Sequence, residues 1–282
     1  MATLQEILKD TAEYVAWKLE EGETTAEVSA SILSELVPQK QETKSVAMPK
    51  QVSPEHKIAK TKTAMPATTP AQDPIPSSDS QLSGTASDRD IALQNLANQI
   101  KACTACPLHS GRIQAVPGQG NSTPEIMFIG EAPGADEDEQ GLAFVGRAGQ
   151  LLTKMIEAMG YTRDEVFIAN VNKCRPPNNR KPLREEMDIC LPFLRQQVAL
   201  LQPKVIVALG ATAVEGLVPE SASEKISTLR GNWLSFEGIP LMPTYHPAYL
   251  LRSPTMKKPV WEDLQAVLHH LGRPIPKRTA SN

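Results

Sequence analysis

The sequence predicts an α/β fold: three layers, αβα, around a central, mainly parallel four-stranded sheet. Three observations carry this. Four short segments are apolar throughout rather than alternating, as strands covered on both faces must be. Segments with apolar residues at helical spacing alternate with them. Glycines follow the first and third of these strands directly.

Taken in order, Ile91, Leu93, Leu96 and Ile100 predict a helix leading into Cys103. Glu125-Ile126-Met127-Phe128-Ile129 is the first strand, stopping at Gly130. Ala148, Leu151, Leu152, Met155, Ile156 and Met159 mark a helix that ends at Gly160. Val166–Ala169 is the second strand, and residues 184–201 form the next helix. Val205–Leu209 is the third strand, closed by Gly210. Ile239–Met242 is a short fourth strand before His246, and Val260, Leu264, Val267, Leu268 and Leu271 give a final helix.

This domain spans 87–282 of the 282 residues. Residues 38–86 carry prolines at 38, 49, 54, 66, 70, 74 and 76 among Ser, Thr, Ala and Lys. Such a segment buries too little apolar surface to offset its ordering entropy, and it reads as a disordered linker. Residues 1–37 read as a short helical extension, too small for a core of its own. It is expected to dock on the rest of this chain or on a protein partner. Hydrophobic residues make up 40% and charged residues 22%. No apolar run approaches the roughly 20 residues that span a bilayer, and the charged N-terminus is not a signal peptide. A cytoplasmic monomer without a membrane is expected. The net charge of −3 argues against wholesale coating of nucleic acid but not against a local basic patch.

The four cysteines are Cys103-x2-Cys106 and Cys174-x15-Cys190. Four thiols with none to spare suggest a four-coordinate metal site; spacing alone leaves zinc and a [4Fe–4S] cluster equally open.

Ligands of open parallel sheets bind beyond the carboxyl ends of the strands. There the first strand runs into Gly130-Glu131-Ala132-Pro133-Gly134, the second into Asn170, and the fourth into Thr244-Tyr245-His246-Pro247. The first loop is neither a P-loop nor a dinucleotide fingerprint. Its acidic residues Glu131, Asp136, Glu137, Asp138 and Glu139 would repel phosphates, so a neutral base suits it better. Phe144, in a Gly-rich setting, is placed to stack on a flat ring or to fill the core. Lys173, Arg175, Arg180, Lys181 and Arg184 form a basic run with no acidic residue until Glu185, suited to DNA phosphates.

Together the loop GEAPGADEDEQGLAFVGRAGQLL, the run NVNKCRPPNNR at 170–180 and YHPAYLLR at 245–252 resemble the family 4, iron–sulfur, thermophile-type uracil-DNA glycosylases, across roughly residues 90–272. The resemblance implies hydrolysis of the N-glycosidic bond of deoxyuridine in uracil-containing DNA. It favours a [4Fe–4S] cluster on Cys103, Cys106, Cys174 and Cys190 over structural zinc. The uracil would stack on Phe144. The Asn170 amide would read its O4 and N3–H, and the backbone of Gly130, Glu131 and Ala132 would hold the remaining edge. His246 would stabilise charge developing on O2. Ala132 stands where family 1 enzymes hold a water-activating Asp. The water therefore falls to Asn179 or to Glu137, the latter alternatively blocking the thymine methyl. Lys173, Arg175, Arg180 and Lys181 would meet phosphates. Tyr249, Leu250, Leu251 and Arg252 would form an apolar wedge with a cation behind it, entering the stack that the everted base vacates, unless that segment is simply a helix start packed on the core. Three rivals stand beside this reading: a non-catalytic binding protein, an enzyme for another damaged base, and a redox sensor.

Overall fold

The structure is a computed structural model and describes residues 86–276. The helical extension at 1–37 and the linker at 38–86 lie outside the described residues, except that Ala86 already opens the first helix, α1 (Ala86–Ala102). Among the described residues no helix is long and apolar enough to cross a membrane.

One sheet organises the domain. Its strands are β1 (Gln119–Gly120), β2 (Ile126–Gly130), β3 (Phe167–Asn170), β4 (Val205–Leu209), β5 (Leu234–Phe236) and β6 (Ile239–Thr244), ordered β1-β3-β2-β4-β6-β5. The inner four are parallel and are the four the apolar runs predict. Two antiparallel edge strands, β1 and β5, extend them to six. At two and three residues these edges are too short to leave a pattern, and short edges are how sheets avoid pairing with other chains.

The helices after α1 are α2 (Ala135–Gln140), α3 (Arg147–Ala158), α4 (Arg184–Leu201), α5 (Ala211–Leu217), α6 (Ile226–Leu229), α7 (Pro247–Arg252) and α8 (Lys257–His270). Successive strand residues point to opposite faces, so both faces of an apolar strand need cover. Ile126, Phe128, Val205 and Val207 pack with Leu152 and Ile156 of α3 and Leu264 and Val267 of α8. Met127, Ile129, Ile206 and Ala208 pack with Leu191, Leu194 and Val198 of α4 and Val214 of α5. The β2–β3 crossover therefore lies on one face and the β3–β4 crossover on the other. That reversal puts a topological switch point between β2 and β4, where a crevice opens beyond the carboxyl ends.

Candidate functional site

Gly130 and Asn170 end β2 and β3 as register partners. A Cβ on Gly130 would lie 2.5 Å from both Asn170 Oδ1 and Phe144 Cζ. The absent side chain is what lets these two groups meet. Asn170 is 2% exposed, and its Oδ1 has no hydrogen-bond partner. A buried amide oxygen left unpaired costs free energy, so it marks a place where a ligand donor is wanted. The Phe144 and His246 rings stand 5.6 Å apart, tilted by 34°. Gly210, at φ +92, allows His246 this close: a Cβ there would meet the His246 Cβ at 3.0 Å. Phe144, Asn170 and His246 thus gather on one rim, as their positions after separate strands predict.

Phe144 sits at φ +53, a strained backbone for a bulky residue that persists only when its surroundings impose it. They do. The N–H of Ala143 donates to Gln119 Oε1 at 3.0 Å, and its carbonyl accepts from Arg163 Nη2 at 2.8 Å. On the other side, Glu137 Oε1 accepts from Val145 and Gly146 N–H, and its Oε2 from Gly134 N–H. Glu137 is therefore a clamp on the loop, with both oxygens occupied. Gln119 and Arg163 were not legible in the sequence, because their partners are backbone groups far along the chain. Asp138, from the same acidic run, is buried and accepts from the N–H of Ile113 and Gln114. The carbonyls of Gly130 and Glu131 accept from Val171 and Asn172 N–H. Burial raises the pKa of the Glu131 carboxyl, against a hydrogen bond from Thr212.

His246 caps α7: its Nδ1 accepts from Ala248 N–H at 3.1 Å, which places the ring proton of the neutral form on Nε2. Burial, aided by the Arg252 charge, pushes its pKa down to about 4. Beneath it, buried Thr244 donates to Asp263 Oδ2 at 2.6 Å, and Arg230 grips the same carboxylate through Nε and Nη2. The Tyr245 and Tyr249 rings meet at 4.9 Å, tilted by 41°, with Arg230 over the Tyr245 ring.

Two expected DNA contacts are corrected. Lys173 is 1% exposed; its Nζ donates to the Asn170 carbonyl and to Gln197 Oε1, so it faces inward and meets no phosphate. Burial lowers its pKa to about 8. Leu250 is also 1% exposed and packs in the core; the exposed apolar residue of that motif is Leu251, beside exposed Arg252. The remaining basic run is less free than its sequence suggests. Arg180 pairs with Glu186, Lys181 with Glu215 and Arg184 with Asp188. Arg175 donates to the Oδ1 of exposed Asn179 at 2.7 Å.

All four cysteines line one cavity, with Arg112, His109 and Phe193. Arg112 donates to Cys174 Sγ at 2.9 Å, Lys173 N–H to Cys190 Sγ at 3.3 Å and Ala105 N–H to Cys103 Sγ at 3.5 Å. Burial raises the Cys174 thiol pKa and pushes Cys190 up to about 11. Among the described residues, no three His, Cys, Asp or Glu side chains close around a point as they would around a single metal ion.

The family described as the uracil DNA glycosylase superfamily matches residues 117–265. A type-4 uracil-DNA glycosylase of Thermotoga maritima is 46% identical over 182 residues, covering 63% of this chain and 93% of the relative. One of Pyrobaculum aerophilum is 46% identical over 180 residues, 61% of this chain and 91% of the relative. One of Archaeoglobus fulgidus is 38% identical over 191 residues, 66% and 96%.

Proposed function

This chain belongs to the type-4 uracil-DNA glycosylases, and on that premise we propose how its residues divide the work of removing uracil from DNA. The enzyme hydrolyses the N-glycosidic bond of deoxyuridine in DNA, releasing uracil and leaving an abasic site. A stacked base is out of reach, so the nucleotide is everted into the crevice. Phe144 stacks on the ring. Asn170 Oδ1 accepts from N3–H, and the Asn170 amide N–H donates to O4. Cytosine presents the opposite edge and leaves that amide mismatched. N–H groups of residues 130–132 hold the remaining edge.

As the bond breaks, negative charge grows on uracil O2, and His246 donates to it from Nε2–H. Because the ring is neutral at physiological pH, it contributes a preformed hydrogen bond rather than a proton, worth about 3–4 kcal/mol. We assign the attacking water to Asn179, acting through its Nδ2 since its Oδ1 accepts from Arg175, in preference to Glu137, both of whose oxygens are spent on the loop. Arg175 and Arg252 carry the phosphate contacts, with paired Arg180 and Lys181 contributing less, and Leu251 takes the wedge role in place of Leu250.

The cysteine cavity is read as the seat of a [4Fe–4S] cluster on Cys103, Cys106, Cys174 and Cys190. Backbone N–H groups and Arg112 already point at the sulfurs, as thiolates require. Four cysteines lining one cavity supply the donor set such a cluster needs, and the family resemblance favours it over zinc, which would take the same four ligands. Cys103, Cys106, Cys174 and Cys190 would hold it, and through them the end of α1 would be stapled to the β3 exit and to α4. Reduced thiols of this kind fit a cytoplasmic setting.

The observation that carries the reading is the meeting of the Phe144 and His246 rings with the unpaired Asn170 oxygen over Gly130. Its test is uracil release from an oligonucleotide by anaerobically purified protein, beside His246→Ala and Asn170→Asp. Both variants are expected to bind DNA and to lose most release; full activity in both overturns the assignment. For the cofactor, wild type is expected to absorb at about 400 nm and Cys174→Ala to be bleached. Purified protein that holds zinc and no iron overturns it.

A further inference from the structure

Lys173 is a buried cation whose two side-chain hydrogen bonds go to neutral acceptors. Its Nζ donates at 2.8 Å to the backbone carbonyl of Asn170 and at 2.6 Å to Oε1 of Gln197 on α4. Gln197 in turn donates through Nε2 to the Pro117 carbonyl at 2.8 Å, and Val116 N–H donates to the Lys173 carbonyl at 2.7 Å. Lys173 also lines the cysteine cavity, whose thiolates would offset part of the cost, but its ammonium is bonded only to neutral groups, and burying it so is unfavourable unless something more is gained. An apolar side chain of similar length would fill the same space without that cost.

The gain lies in what the ammonium holds. Asn170 Oδ1 is buried and has no partner of its own, so no hydrogen bond to that oxygen aims the carboxamide. Its direction is set by the backbone of the β3 exit, which the ammonium ties to α4 and to the 116–117 segment. We propose that Lys173 is a positioning residue for base recognition, anchoring the Asn170 main chain so that its carboxamide stays directed at the uracil edge. The proposal rests on the reading of Asn170 as the group that recognises uracil.

The test uses the full chain, purified anaerobically. Lys173→Met keeps the stem and removes the ammonium; Gln197→Met is the milder variant, removing one of the two acceptors. Three quantities are read: kcat/KM on uracil-containing DNA, inhibition by free uracil, and the ratio of uracil to cytosine release. Absorption at about 400 nm reports the cysteine site. With absorption retained, Lys173→Met is expected to lower kcat/KM on the order of 10–100-fold, as an angstrom-scale misplacement does. It is also expected to weaken free-uracil inhibition about 5–10-fold, the equivalent of one hydrogen bond, and to narrow the uracil-to-cytosine ratio. Gln197→Met should move all three the same way by less, and it decides the matter if Lys173→Met does not fold. Lower activity with unchanged free-uracil inhibition and an unchanged ratio overturns the proposal, since the residue is then merely structural. So does activity lost in step with absorption, since the residue then serves the cysteine site. An Asn170→Asp variant run alongside separates the two readings: if it leaves the ratio and the inhibition unchanged, the assignment of Asn170 fails, whatever the Lys173 variants do.

Discussion

At the carboxyl end of the strands, Asn170 buries an unpaired oxygen, Phe144 holds a left-handed backbone and His246 is kept neutral. At the amino end, a carboxylate is fully engaged. Glu125, just before β2, gives one oxygen to Lys204 and the other to Arg273 and Tyr161. These partners hold its pKa down at about 2, and burial together with that carboxylate lifts Tyr161 to about 12. One end of the sheet leaves a buried amide open to a ligand; the other satisfies its carboxylate and latches the chain. The same strands support both, so stability and chemistry can be perturbed separately.

The largest test of this contrast is His246→Ala. Loss of one preformed donor should cut single-turnover uracil release on the order of 10²–10³-fold, while Tm moves little. Next comes Gly130→Ala, whose Cβ has no room between Asn170 and Phe144. A fall in kcat/KM of about 10²-fold is expected, because both ring-binding groups must shift. An active Gly130→Ala enzyme would show that the two groups do not meet on one base.

A pH–rate profile sharpens the rim further. With its pKa near 4, His246 stays neutral across the physiological range, so the profile should lack the inflection an ordinary histidine gives near 6.5. Release should fall only as pH approaches about 4, where protonation also breaks the Ala248 N–H bond to Nδ1. A midpoint near 6.5 that vanishes in the His246 variant would contradict the part-buried, neutral ring.

The smallest effect belongs to the latch. Glu125→Gln should lower Tm by about 2–4 °C at neutral pH and leave uracil release unchanged, since exposed pairs contribute at most about 1 kcal/mol. A carboxyl whose folded pKa is depressed stabilises above its ordinary value of 4.5 and ceases to as pH falls toward about 2. The Tm gap between wild type and variant should therefore close over that window. A variant that instead loses activity would erase the division between the two ends.

The sequence by itself determined the four parallel strands, the helices at 147–158, 184–201 and 257–270, and the convergence of three strand-end loops, because these follow from local periodicity and from where parallel strands must end. It also singled out the four cysteines. Tertiary structure alone decided which polar side chains face solvent. Lys173 and Leu250 look exposed in a run of polar or motif residues, yet α4 and the core close over them. Glu137 reads as a free carboxylate until the loop folds back to supply three N–H groups, and Lys181 reads as open until Glu215 arrives from α5. Periodicity records the face an element buries. It does not record what arrives from elsewhere in the chain to cover a single side chain, and that is settled only when the layers pack.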